Sequence, residues 1–315
     1  MKKKFLLTDL FDTYAQFCHC APGADTSSDF DSLQGSAVAA RKRIVTIIGE
    51  EVFALIVTMD NEDVVKSFLQ TAMANLTLAT QIAFDAVNRR KNEVNVYKYE
   101  MEGMKRAYME NFYNAMDSLI SELMEPTFGI ADDIYGQISE AWHKTRYFSM
   151  VESCKVKTAD EFDAIYTIDL SYLFFFRCIP LQKEVLDESI GAYFSRLEGM
   201  GTTAQGEENH ETVYLVQKIE PMLKLALVKK TVAKALRRFD ILEFPDTIRN
   251  LFDDNTASRS GSDEASRAVC LASELDGEVE ALLHSVDLLL EAEEGNDYTS
   301  YSAENTPQDN IYIMP

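Results

Sequence analysis

Several landmarks of this chain recur in the same order at nearly one spacing, and that repetition constrains the fold more than any other feature. Ile48-Gly49-Glu50-Glu51-Val52-Phe53 has a counterpart in Ile190-Gly191-Ala192-Tyr193-Phe194. The apolar-periodic segment Asp63 to Val87 answers to Glu211 to Leu236. Each leads into a basic pair, Arg89-Arg90 and Arg237-Arg238, and then into a short aromatic and β-branched stretch, residues 94–99 and 239–244. Ile48 and Ile190 are 142 positions apart, Arg89 and Arg237 148, Val94 and Phe239 145. Thr8-Asp9-Leu10-Phe11-Asp12 also resembles the start of Thr158-Ala159-Asp160-Glu161-Phe162-Asp163, 150 positions later. Ordered self-similarity of this kind points to two copies of one supersecondary unit.

The period inside each copy is helical. Phe68, Leu69, Met73, Leu76, Ala79, Ala83 and Val87 recur at steps of three and four, and Tyr108, Phe112, Ala115, Leu119 and Leu123 do the same. This predicts helices over 5–20, 36–59, 63–91, 101–124, 128–152, 172–197, 211–238 and 264–293. Residues 21–35, 199–206 and 255–263 read as loops or links. Pro126 ends the fourth helix, and Thr158 with Glu161 fits a capping box. The expected architecture is all-α: an N-terminal helical unit (1–126), a connecting helix (127–153), a C-terminal helical unit (154–294) and an extended acidic tail (295–315), with short extended segments beside the basic pairs.

With 315 residues and an apolar share of 46% the chain can bury a real core. Thirty basic against 52 acidic residues leave a net charge of −22. That speaks against specific nucleic-acid recognition, which draws its affinity from neutralised phosphates, and for partners that carry basic patches. No apolar run reaches the ~18 residues a membrane-spanning helix needs. The start, Met1 to Asp9, has an apolar run too short for a signal peptide. The odd cysteine count, five, fits a reduced compartment better than a disulfide framework.

No constellation names a reaction. Cys18-His19-Cys20 lacks the second ligand pair that structural zinc requires. Gly199-x-Gly201 followed by Gly206 has neither the strand nor the Gly-Lys-Ser/Thr of a phosphate-binding loop. His143, His210 and His284 stand alone, and neither G-x-S-x-G nor H-E-x-x-H occurs. The expectation is a chain without catalytic, cofactor or metal residues.

Two features point to docking. The recurring cations Arg89, Arg90, Arg237 and Arg238 either complement a helix C-terminus or meet the acidic face of a neighbouring copy. The tail ends in a β-prone apolar tip, Ile311-Tyr312-Ile313-Met314, which either folds back on its own domain or adds to a partner's sheet edge.

The order Thr158 to Asp163, then Tyr172-Leu173-Phe174-Phe175-Phe176, then Ile179-Pro180-Leu181-Gln182-Lys183-Glu184-Val185, with the tip Ile311 to Met314, resembles a domain-of-unknown-function family encoded in phages and prophages of gut Bacteroidetes. The resemblance runs over nearly the whole chain. The N-terminal copy carries the Phe-Asp pattern but not Ile-Pro-Leu-Gln. What the resemblance implies is a virion structural protein, of the helical kind that forms adaptor or neck rings between portal and tail. It carries over no functional residue. The expectation is therefore a homo-oligomeric ring that contacts portal and other neck or tail proteins, located in the virion and in the host cytoplasm during assembly. The alternatives are a cytosolic helical adaptor or regulator with no place in the particle, and an enzyme whose site is assembled across the two units.

Overall fold

A computed structural model describes residues 5–26, 28–91, 98–124, 133–203, 210–251 and 262–296, and among these the chain is all-α, with no strand. No helix among them is long and apolar enough to cross a membrane.

The first half opens with a 3-10 turn, Leu7–Asp9, closed by the Asp9 carboxylate accepting from the Leu6 N–H at 2.8 Å. Helix α1 (Tyr14–Cys20) starts where the Thr13 hydroxyl accepts from the Gln16 N–H. Helix α2 (Phe30–Ile48) starts where Asp29 accepts from the Ser32 N–H. Such caps satisfy amides that have no partner in the first turn. Gly49 then takes φ +86°, a region that L side chains avoid. The chain turns there into α3 (Glu50–Val57). Two long helices follow, α4 (Val64–Lys91) and α5 (Lys98–Met124). They are joined by only six residues and share the most extensive helix–helix contact in the fold, so they form an antiparallel hairpin.

Helices α6 (Asp133–His143) and α7 (Arg146–Val151) lead to the second half. There α8 (Ala159–Ile165) precedes α9 (Tyr172–Val185), a π turn (Leu186–Ile190) and α10 (Gly191–Thr203), the last three running on without a break. Helix α11 (His210–Arg238), a 3-10 turn (Ile241–Glu243), α12 (Asp246–Arg249) and α13 (Ser262–Asn296) complete it. Helix α9 is buried almost all round, Leu173 to Phe176 and Cys178 to Gln182 except Pro180, and it packs on α5, α7, α8 and α11. Such a helix is the centre of a fold and not a face of it. Trp142 joins the halves: it is fully buried, edge-on to Phe176 at 5.1 Å and to Phe148 at 6.1 Å, and its indole N–H points at the Met124 sulfur. One continuous apolar core runs from Leu7 to Leu290.

Each half runs through a short helix, a helix interrupted beside a glycine and two long helices, but in the second half a 3-10 turn and α12 stand between the long helices. The interruptions differ in kind. Gly49 is a break. Gly191 stays helical, but its N–H bonds back to the Leu186 carbonyl, and a Cβ there would lie 2.4 Å from that oxygen. Gly191→Ala must push the π turn out of register. The expected loss is about 1–3 kcal/mol, read from urea unfolding.

The structure corrects several boundaries. The helix expected over 36–59 is two, split at Gly49. The connecting helix is also two: Thr145 ends α6 and caps α7, its hydroxyl accepting from the Phe148 N–H. The 5–20 helix is a 3-10 turn plus α1, and α2 begins inside the expected loop 21–35. Gly199 to Thr203, read as a link, are the last turn of α10. Of the extended segments, 239–244 is a 3-10 turn with its flanks, while 94–97 lie outside the described residues. The Thr158 cap is present, but Glu161 reaches the Lys157 N–H, one residue before the position a capping box uses.

Candidate functional site

A concavity of about 310 Å³ lies where the halves meet, between α5, the entry to α9 and the corner from Leu242 to Arg249. Its floor is built by capping. Asp117 on α5 accepts from the Leu173 N–H at 2.8 Å and from the Ser171 hydroxyl at 3.1 Å, while the Ser171 hydroxyl accepts from the Phe174 N–H. A carboxylate of the first half thus serves the N-terminus of a helix in the second. Burial pushes the Asp117 carboxyl above its ordinary value, against those hydrogen bonds, which pull it down.

The lip is a tight turn. Asp163 accepts from the Ile168 and Leu170 N–H groups at 2.7 and 3.1 Å. Asp169 and Leu170 take φ of +55° and +51°, which is uncommon for a leucine. The Asp169 carboxylate accepts from the Thr247 N–H at 2.9 Å and from its hydroxyl, and so ties the lip to α12. Arg249 lies between Glu110, at 3.3 Å, and Asp246.

At the back, Glu243 accepts from Arg177 Nε and Nη2 at 3.0 and 2.8 Å, with Arg43 3.6 Å away. Arg177 lies over the Phe239 ring at 5.0 Å. Arg43 donates to the Tyr113 hydroxyl at 2.7 Å. Burial raises the Tyr113 phenol, and the Glu243 charge adds to this. A smaller hollow of about 100 Å³ adjoins, bounded by Arg43, Thr46, Phe112 and Arg177 among others.

Five carboxylates and one guanidinium therefore line the cleft, and a guanidinium is already held in it. Its chemistry favours a cationic side chain. Among the described residues no group of three or more His, Cys, Asp or Glu is placed to hold a metal. The five cysteines are free, and burial raises Cys20, Cys154 (to about 11) and Cys178, which keeps them as thiols.

Of the interaction residues expected from sequence, Arg237 and Arg238 lie away from the cleft. Arg237 pairs with Asp276 on α13 at 2.6 Å, and Arg238 grips Glu184 on α9 with two bonds of 2.5 and 2.7 Å. They belong to a ladder along α11. In it Lys224 meets Glu161, Lys229 meets Glu278, Lys230 meets Asp276, and Lys234 meets Glu184 and Glu188. Arg89 and Arg90 occupy the last turn of α4, and their side chains lie outside the described set. Ile311, Tyr312, Ile313 and Met314 lie outside the described residues.

The ladder has a pH consequence. Arg238 first, then Lys234, hold Glu184 down to about 2 from an ordinary 4.5. Burial raises Asp276, but Lys230 and Arg237 outweigh it and the carboxyl stays below its ordinary 3.8. Groups depressed in the folded state stabilise it above their unfolded pKa and lose that contribution as pH falls toward the folded one. Between about pH 4.5 and 2, amide protection in α9, α11 and α13 should fall before that in α4 and α5. High salt should weaken the same helices, because these pairs are partly exposed. Hydrogen-exchange protection factors at neutral and acid pH check this.

Sequence reading missed the cleft residues. Ser171 ahead of an aromatic run and Pro245-Asp246 are helix-start signals, but nothing in the order of residues couples Asp117 to Leu173 or Asp169 to Thr247. No family model, no curated protein and no solved structure matches the chain.

Proposed function

We propose that the chain is an assembly protein of a tailed phage particle: a head-to-tail connector, as adaptor or neck ring, made of two similar helical units that work by protein–protein contact. Further copies of the chain, the portal and other neck or tail proteins are its partners. The observation that supports this best is the partition of charge. Six of the seven lysines and arginines of α11, all but Lys218, pair with acids of α8, α9, the π turn and α13. The acidic surplus of a chain with net charge −22 is thus left for the outside and for the inter-unit cleft, where it suits a basic partner and repels a DNA backbone. The shared order of elements in the two halves and the resemblance carried by Thr158 to Val185 point the same way. Mass spectrometry of purified particles tests it: the chain should be found with the portal protein. Particles that contain portal but lack this chain, while the cell lysate holds it, would overturn the reading and favour the non-virion adaptor.

A further inference from the structure

The cleft and the smaller hollow beside it are two ends of one recess: Tyr113, Leu173 and Glu243 line both. The ends differ in charge. Besides Glu243, the cleft has four carboxylates, Glu110, Asp117, Asp169 and Asp246, against the guanidinium of Arg249. At the hollow two guanidiniums, Arg43 and Arg177, face the one carboxylate of Glu243. In a chain of net charge −22 that end carries a positive surplus. Glu243 is gripped by Arg177 through two hydrogen bonds. Arg43 lies 3.6 Å from Glu243, and among the described residues its one hydrogen bond goes to the Tyr113 hydroxyl. Its side chain is 43% exposed, so this guanidinium has donors to offer. Tyr113 accepts from Arg43, which leaves its own proton free for an oxyanion, and burial keeps the phenol neutral.

The spacing of the two ends selects a ligand. Arg177 stands four residues along α9 from Leu173, whose N–H Asp117 holds. At 1.5 Å per residue that is an offset of about 6 Å. A lysine or arginine at the end of a chain carries its α-carboxylate and its cation at the two ends of a stem of comparable length. We propose that the recess receives the last residue of a partner polypeptide, a lysine or arginine, with its α-carboxylate on Arg43 and Tyr113 and its side chain among the carboxylates of the cleft. Capture of a terminal carboxylate is a recurring mode of peptide recognition. The rim suits a chain better than a free amino acid. Leu170 and Leu251, 46% and 60% exposed, adjoin the lining residues Asp169, Ser171 and Arg249 in sequence, and they offer apolar contact to the residues that lead into the recess. This rests on the assembly reading and names the part of a partner that is held.

The test is isothermal titration calorimetry of the full chain with an acetylated peptide ending Leu-Leu-Arg. The comparisons are the same peptide amidated, a peptide ending Leu-Leu-Leu, and free arginine. The free-acid arginine peptide should bind. Amidation and the terminal leucine should each weaken it at least about tenfold, because each removes one charged, hydrogen-bonded end. Free arginine should bind more weakly than the peptide. Arg43→Gln should abolish the difference between acid and amide. Asp246→Asn, at a side chain that is 75% exposed, should narrow the difference between the arginine and leucine peptides. Far-UV circular dichroism checks that both variants keep their helix content, and the peptide comparison decides even where a variant unfolds. A free-acid peptide that binds no tighter than ~1 mM, equal affinity for acid and amide, free arginine that binds as tightly as the peptide, or folded variants that discriminate as wild type does would overturn the proposal. Peptide binding by a chain that is absent from purified particles keeps the site and removes the assembly reading. A chain that is present in particles but binds no peptide removes the site alone.

Discussion

Trp142→Ala should be the most damaging single substitution in the chain, with an expected loss of about 3–5 kcal/mol. The indole is fully buried and in edge contact with Phe148 and Phe176. Those rings belong to α7 and α9, so truncation opens a cavity where the halves join and cannot be filled by collapse within one half. Urea unfolding should show the loss. Because the joint is shared, the variant should also lose cooperativity, with the fluorescence of tyrosines in the two halves no longer changing in one transition. Phe148→Ala, at the half-buried margin of the same cluster, should cost less.

Gln182→Met should cost about 3 kcal/mol or more although it conserves volume. The side chain is fully buried. Its oxygen accepts from the Lys155 and Val156 N–H groups at 3.2 and 3.0 Å, and its amide donates to the Val156 carbonyl at 3.1 Å. Methionine leaves three backbone groups without partners, at about 1–3 kcal/mol for each one that water cannot reach. The effect should centre on 154–157, the strap that carries the chain from α7 to α8, and hydrogen exchange at Val156 is the direct measure. Gln182 is the glutamine of Ile179-Pro180-Leu181-Gln182, so that motif has a structural job: it fastens a backbone strap to the central helix.

The order of residues reveals helices better than it reveals where they stop. The periods over 63–91 and 101–124 are long and regular, and α4 and α5 follow them closely. The misplaced ends have local causes that apolar periodicity does not carry. Gly49 breaks a helix through its φ, while Gly191 keeps one and bulges it, and both read alike as a glycine after Ile. Thr145 interrupts an apolar pattern that is continuous through it, because its hydroxyl serves the next helix. Gly199 and Gly201 read as a link but sit at the end of a helix whose preceding turns are well packed, an instance of tertiary context overriding propensity.

The cleft is illegible in the order of residues for a different reason. Its carboxylates come from positions as far apart as Glu110 and Asp246, and each is a common surface residue in its own segment. Only the pairing of α5 with α9 and of the lip with α12 brings them to one place. The basic pairs were visible because they recur, yet recurrence does not give them one role. Arg237 and Arg238 are held by acids of their own chain, whereas Arg89 and Arg90 stand in the last turn of α4.

Electron microscopy of the wild-type chain, alone and with the portal protein, tests the central claim, assembly through protein–protein contact, most directly. Rings built of repeated copies of the chain are the predicted result. Single copies alone, with and without portal, would contradict it.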